Sequence, residues 1–382
     1  DLDKPLQVLS GGQKKLVGLA RLLLAKPDVL LLDEPDNHLD LPAKTFLERT
    51  IAGYPGAVVL ISHDRYLLDA SVTHIAEIED GRLTTFTGDY SAYILDKEER
   101  LARQEELFRV QQHEIGRLEV AIKRYALWGK IYDNEKFAAR AKSMQKRLDK
   151  MDKIDRPVTE RRRMGLQLNG WRGSNKVLEL QQVSKAYGKR RLFHALEQTI
   201  WHGERVGLIG PNGSGKSVLL RMLLSQEQPD AGEIVLGPSV QVGYYAQEHE
   251  TLDFNQTLVD AVRSVAALSE SNAVSFLIRY LFTYKQTTQK IGDLSGGERS
   301  RLQLALLVLS GANFLLLDEP TNKLDIASAE VLEQALDVFV GTVLLVSHDR
   351  YFLDRTVDRL LVIDGGEVRS YQGGYSDYLS AS

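Results

Sequence analysis

Four short apolar runs stand out along the chain, at residues 206–209, 242–245, 314–317 and 343–346. Each carries no charge on either face, the pattern of a strand covered on both sides and hence of a parallel sheet flanked by helices. Between residues 93 and 164 the pattern changes to long charged stretches. There Ile115, Leu118, Ile122 and Tyr125 form one apolar stripe at helical spacing, and Phe137, Ala141, Met144, Leu148 and Met151 form a second. Two such stripes predict an antiparallel helical hairpin whose tip lies near residues 127–134. The expectation is an α/β protein in three parts: residues 1–92, a hairpin at 93–164, and residues 165–382.

The two ends of the chain repeat one another. Ser10-Gly11-Gly12 recurs as Ser295-Gly296-Gly297, Asp33-Glu34-Pro35 as Asp318-Glu319-Pro320, and Ser62-His63-Asp64-Arg65-Tyr66 as Ser347-His348-Asp349-Arg350-Tyr351. Each pair lies 285 positions apart (295 minus 10, 318 minus 33, 348 minus 63), so no net insertion separates these landmarks. A constant offset marks a duplicated module. The second copy has a long stretch, from about residue 177, ahead of its Ser-Gly-Gly, whereas nine residues precede Ser10. A natural parent chain is therefore expected to carry roughly a hundred or more further residues before the first copy.

Gly210-Pro211-Asn212-Gly213-Ser214-Gly215-Lys216-Ser217 follows the first apolar run and precedes a helical stretch at 218–224. A strand, a loop of this form and a helix together make a phosphate cradle: glycines let backbone amides close on the anion, and the helix N-terminus adds positive potential. Lys216 is expected to reach the β and γ phosphates and Ser217 to ligate Mg²⁺. The run at 314–317 ends in Asp318 and Glu319, at the edge where an open α/β sheet binds ligands. Asp318 is expected to hold Mg²⁺ through water, and Glu319 to orient or deprotonate an attacking water. His348 ends the run at 343–346 on the same edge and is assigned a γ-phosphate contact. Lys216, Glu319 and His348 form the candidate catalytic set. Gln247 is assigned a contact to Mg²⁺ and water, and Tyr187 a stacking place against adenine.

Leu9-Ser10-Gly11-Gly12-Gln13 and Leu294-Ser295-Gly296-Gly297-Glu298 each precede a helical stretch, 14–24 and 299–309. One such segment is only a turn and a cap. Two, each 23 residues ahead of an Asp-Glu-Pro (33 minus 10, 318 minus 295), resemble the signature of ATP-binding-cassette (ABC) ATPases. The resemblance implies P-loop modules paired head to tail, the signature of one closing on ATP held by the other. Ser10, Gly11, Gly12 and Gln13 are thereby implied to face residues 210–217. The whole chain resembles the ABC-F subfamily, cytoplasmic tandem ATPases without a membrane domain that act on ribosomes. Gly88-Asp89-Tyr90-Ser91 at the entry to the linker fits this, as does Asp-Glu-Pro-x-Asn-x-Leu-Asp in both copies. Asp36-Asn37-His38 and Thr321-Asn322-Lys323 depart from the Thr-Asn-His usual there. Taken with the short first copy, the resemblance further implies one complete composite site, one ATP per chain, and weakened or absent turnover.

Composition narrows the picture. The 382 residues include no cysteine, which excludes disulfides, thiolate catalysis and a cysteine-based zinc site. No run approaches the roughly 18 apolar residues of a membrane span, so a cytoplasmic protein without a membrane partner is expected. The net charge of −4 hides an uneven distribution: residues 121–163 hold fourteen Lys or Arg against six Asp or Glu. Basic groups beside aromatics suit RNA, so Lys123, Arg124, Trp128, Lys130, Lys142, Lys146 and Arg147 are candidate contacts. In the resembled family this linker reaches ribosomal RNA and P-site tRNA, with the ribosome as partner. An ATPase subunit of a transporter or a DNA-repair ABC ATPase would share the cassette motifs, but neither accounts for a basic hairpin set between two modules.

Overall fold

The computed structural model describes residues 5, 7, 9, 11–37, 39–79, 81–133, 135–151, 166, 168, 171–188, 190–246 and 251–381. The chain divides into two units: residues 1–71 together with 162–382, and residues 72–161.

The first unit opens with α1 (Gly11–Ala25), β1 (Val29–Asp33), α2 (Leu41–Ala52), β2 (Ala57–Ile61) and α3 (Arg65–Ser71). β1 and β2 run parallel, Val29 beside Ala57 and Asp33 beside Ile61. Leu19, Leu30, Leu32, Leu47, Ile51 and Leu67 close a small core between these strands and helices. α2 begins where Asp40 caps it, Oδ1 accepting from the Ala43 amide at 3.3 Å. Pro42 occupies the first turn, where a missing N–H costs nothing.

The second unit starts with the antiparallel pair β3 (His74–Glu79) and β4 (Arg82–Thr87). Asp89 then caps α4 (Tyr90–Ile131), a helix of 42 residues, and a tight turn leads into α5 (Glu135–Asp149). The hairpin forms as its two stripes predict: Ala141 and Leu148 are buried, and Tyr125 stacks on Phe137 at 6.1 Å between ring centroids. Near the turn the helices approach closely, since a Cβ on Gly129 would stand 3.2 Å from the Ala138 amide nitrogen.

The first unit resumes with β5 (Lys176–Tyr187), β6 (Arg190–Trp201), β7 (Arg205–Ile209), α6 (Lys216–Leu223), β8 (Ala231–Leu236) and β9 (Val242–Tyr245). Helices α7 (Leu258–Val265), α8 (Glu270–Arg279), α9 (Tyr284–Thr287) and α10 (Gly296–Leu309) follow. The remainder is β10 (Phe314–Asp318), α11 (Ile326–Asp337), β11 (Thr342–Val346), α12 (Arg350–Thr356), β12 (Arg359–Asp364), β13 (Glu367–Gln372) and α13 (Tyr375–Ala381). Among the described residues a six-stranded sheet runs in the order β13-β12-β7-β11-β10-β9, parallel except for β13. A three-stranded antiparallel sheet, β6-β5-β8, packs beside it.

Every residue of β10 and β11 is buried, as two helix-covered faces require. Leu315, Leu317, Val343 and Leu345 enter a core with α7, α8, α10 and α11. Phe314, Leu316, Leu344 and Val346 point the other way, into a second core with α6 and the antiparallel sheet. The repeat copies differ here. Val29, Leu31, Val59 and Ile61 occupy the positions equivalent to that second set, and are 51–73% exposed. Among the described residues no helix is long and apolar enough to cross a membrane.

Candidate nucleotide site

Three parallel strands deliver the candidate residues to one edge of the sheet. β7 runs into residues 210–215 and then α6, β10 ends at Asp318, and β11 is followed by Ser347 and His348. Gly215 stands at the N-cap of α6 with φ +108°, and a Cβ there would lie 2.8 Å from Phe193 Cζ. Only glycine meets both conditions. Lys216 Nζ donates to the carbonyls of Gly210 at 2.7 Å and Pro211 at 3.1 Å, which holds the loop around the ammonium. Burial pushes this lysine below its ordinary pKa, against the pull of Glu319, Asp318 and Asp40.

Glu319 adopts φ +50°, and Glu34, its repeat counterpart, φ +44°. A left-handed conformation is uncommon for glutamate and marks a bend held by its surroundings. The same contact holds both: the Glu319 amide donates to Val346 O at 2.8 Å, and the Glu34 amide to Ile61 O at 2.8 Å. Glu319 Oε2 accepts from the His348 amide at 3.1 Å. Its Oε1 lies 3.6 Å from His348 Nε2, and both Oε1 and His348 Nδ1 are buried without a hydrogen-bond partner. Burial, reinforced by the charge on Asp318, pushes the Glu319 carboxyl up to about 7. Burial also holds His348 well below its ordinary pKa, so the imidazole is neutral at pH 7.

These groups line a cleft of about 590 Å³ that also contains Tyr187, Asn212, Gly213, Gly215, Ser217 and Asp318. Of the remaining loop positions, Gly210 and Pro211 hold the lysine, and Ser214 Oγ is buried without a hydrogen-bond partner. Tyr187 is half exposed, its hydroxyl donating to Glu227. Ser10 and Gln247 lie outside the described residues.

Gly11, Gly12 and Gln13 form the first turn of α1 and are not among the residues lining the cleft. The first repeat copy reaches it instead through the segment after β1, α2 and the residues that follow β2, including Glu34, Asn37, Lys44 and His63. Its direct bond to the phosphate loop comes from Asp40, whose Oδ2 accepts from the Asn212 amide at 3.1 Å. Asp40 thus serves its own helix with one oxygen and the opposite copy with the other. It is the last residue of the repeated Asp-Glu-Pro-x-Asn-x-Leu-Asp segment, a signal from which its role was open to reading. Arg190 gave no such signal; its Nη2 donates to Gly213 O at 2.7 Å from the start of β6.

The two copies also meet through a reciprocal pattern at the same 285-residue offset. Arg65 pairs with Glu333, and Arg350 with Glu48. The Arg65 guanidinium lies 3.9 Å from the ring centroid of Tyr351, and that of Arg350 lies 4.8 Å from the ring centroid of Tyr66. The Tyr66 and Tyr351 rings meet edge to face at 6.5 Å. Each copy thus presents the same residues to the other, the arrangement of a two-fold interface.

In the second unit Lys123, Arg124, Lys130, Lys142, Lys146 and Arg147 are all exposed. Arg147 pairs with Glu114 at 3.0 Å, and Arg124 lies over the rings of Tyr125 and Trp128 at 5.6 and 5.3 Å. Trp128 is half buried, 5.8 Å from Phe137, so the aromatics of the hairpin tip pack on one another. Tyr132 is the exposed exception.

A family profile described as ABC transporter matches residues 1–37 and 193–322, and a second of the same description matches 76–166. An uncharacterised ABC transporter ATP-binding protein of Bacillus subtilis, YfmR, is 38% identical over 397 residues, covering 100% of this chain and 60% of that protein. The energy-dependent translational throttle protein EttA of Haemophilus influenzae is 39% identical over 388 residues, with 99% of this chain and 68% of that protein covered. The ribosome protection protein VmlR of Bacillus subtilis is 39% identical over 380 residues, with coverages of 94% and 69%. This chain thus spans 60–69% of the length of these relatives. Among solved structures, the archaeal ribosome recycling factor aABCE1, crystallised with the stalk protein aP1, aligns with a TM-score of 0.67 at 23% identity. That alignment covers 100% of this chain and 68% of the other, and shows a shared fold.

Proposed function

We propose, because this chain belongs to the ABC-F family of ATP-binding-cassette ATPases, that it binds ATP in the cleft, hydrolyses it, and uses the cycle to set a basic hairpin against the ribosome. The observation that carries the reading is the convergence of Lys216, Asp318, Glu319 and His348 from three strand ends, with the repeat copy closing the opposite wall. Residues 1–92 and 165–382 are read as the ATPase parts, and residues 93–164 as the effector arm.

The residues fit a magnesium–triphosphate group. Glu319 Oε1 and His348 Nδ1 lack hydrogen-bond partners, and both residues line the cleft. Ser217 and Asp318, with Gln247, would hold Mg²⁺, which supplies charge neutralisation for the phosphates. Lys216 binds the β and γ phosphates. Glu319 orients the attacking water and accepts its proton. His348, being neutral, contributes a hydrogen bond at the γ-phosphate rather than a charge. Asp40 steadies the loop from the other copy, and Tyr187 offers its ring to the adenine. Catalysis of this kind is mostly positioning and electrostatics.

The arm's proposed target follows from its exposed cations together with the relatives' functions, one a translational throttle and one a ribosome protection protein. Contacts to ribosomal RNA and P-site tRNA, and a cytoplasmic location, belong to this reading. Ribosomes should raise ATP turnover where duplex DNA does not; stimulation by DNA alone would point to a repair ATPase. Reversing Lys142, Lys146 and Arg147 to glutamate should weaken cosedimentation with ribosomes about tenfold or more near physiological salt, and flatten its salt dependence. Unchanged cosedimentation across a salt series would remove the arm from the interface.

A further inference from the structure

The wall that the first copy presents to the cleft holds a charged group with no counterpart in the second. Lys44, 8% exposed on α2, donates to Asp64 Oδ2 at 2.8 Å. Asp36, 6% exposed, accepts from Ser62 Oγ at 2.8 Å through Oδ1. Asp349 of the second copy adds a third carboxylate, and all four residues line the cleft. Arg350 touches this group only at 3.7 Å from Asp64, its strong partner being Glu48. Burial opposes the charge on Lys44, yet Asp64, Asp349 and Asp36 outweigh it and hold the ammonium above its ordinary pKa.

At the 285-residue offset, Ser62, Asp64, Arg65 and Glu48 recur as Ser347, Asp349, Arg350 and Glu333, but Asp36 and Lys44 become Thr321 and Ala329. One acid and one base are missing together, so the second copy is as balanced as the first. A buried lysine without its acids, or the acids without the lysine, would leave uncompensated charge. The wall concerned faces the place where a polyanion must sit.

We propose that Lys44, held by Asp64, offsets the acids of this wall and keeps it from repelling the triphosphate, and that Asp36 is the added acid that makes the lysine necessary. The inference rests on the nucleotide reading of the cleft. It makes the lysine dispensable only when the acid goes with it, whereas the acid can be removed alone.

The test is calorimetric titration of the full chain with MgATP and with adenosine, alongside thermal melting, for the wild type, K44A, D36T and D36T/K44A. K44A should weaken ATP about tenfold or more and leave adenosine within about threefold, because the loss is electrostatic. D36T/K44A should return ATP affinity to within about threefold of wild type, and D36T alone should bind ATP no more weakly than wild type. Wild-type ATP affinity in K44A, equal losses for ATP and adenosine, or a double variant no better than K44A would each overturn the proposal. Where K44A does not fold, D36T carries the decision, and weaker ATP binding by D36T overturns it. If the wild type itself takes no ATP, the cleft has been misread; the pair is then judged by melting, where recovery in the double variant supports it and additive losses refute it.

Discussion

Glu319→Gln should lower ATP turnover by roughly two to four orders of magnitude while leaving ATP bound, the range expected for loss of a positioned general base. The amide keeps the shape of the carboxylate, and its oxygen accepts from the His348 amide as Oε2 now does at 3.1 Å. What is lost is the capacity to take a proton from water. What is gained is one fewer negative charge beside Asp318, in the site proposed to hold a triphosphate. Turnover and affinity therefore separate: phosphate release collapses, and nucleotide retained after gel filtration rises. Turnover within about threefold of wild type would exclude Glu319 as the group that activates water.

Removal of Arg65 should be the most damaging change at the junction of the copies. The side chains of Arg65 and Glu333 are 3% and 8% exposed, so Arg65→Met strands a carboxylate away from water. Breaking a buried pair in this way costs about 3–5 kcal/mol. Burial already pushes Glu333 above its ordinary pKa while Arg65 opposes the rise; without the arginine it goes higher still. Arg65→Met with Glu333→Met should recover most of the loss, since two apolar side chains of similar length leave neither charge of this pair stranded. The melting temperature reads both, and a shift of several degrees in the single variant is expected. Removal of Arg350 from the reciprocal pair should destabilise in the same way, with less recovery when Glu48 is removed too, because Arg350 also lies 3.7 Å from buried Asp64. A single variant as stable as wild type, or a double variant as unstable as the sum of its parts, would show that this junction contributes little.

The parts of the protein that depend on local pattern were legible before any coordinates. Uniform apolarity placed β9, β10 and β11 because a strand covered on both faces has no polar side to hide. Two stripes of apolar residues placed the hairpin, because helical period 3.6 survives any tertiary setting. The strand–loop–helix context placed Lys216, Ser217, Asp318 and Glu319 in one cleft. What was not legible arises between segments far apart in the chain. Arg190 reaches Gly213 from an unremarkable position at the head of a strand. Arg65 and Glu333 are 268 residues apart, and only the constant repeat offset hints that they meet. Trp128 read as free for bases, yet it packs on Phe137, a contact that the two stripes do not specify.

The left-handed backbone shared by Glu34 and Glu319 sets chemistry against sturdiness. Such a bend costs an L-residue about 1–2 kcal/mol, and glycine escapes that cost. On the proposed mechanism, position 319 thus carries the side chain that suits a reacting water on a backbone that suits none. A variant selected only for heat resistance would drift there towards glycine, ending with a firmer fold and an idle site.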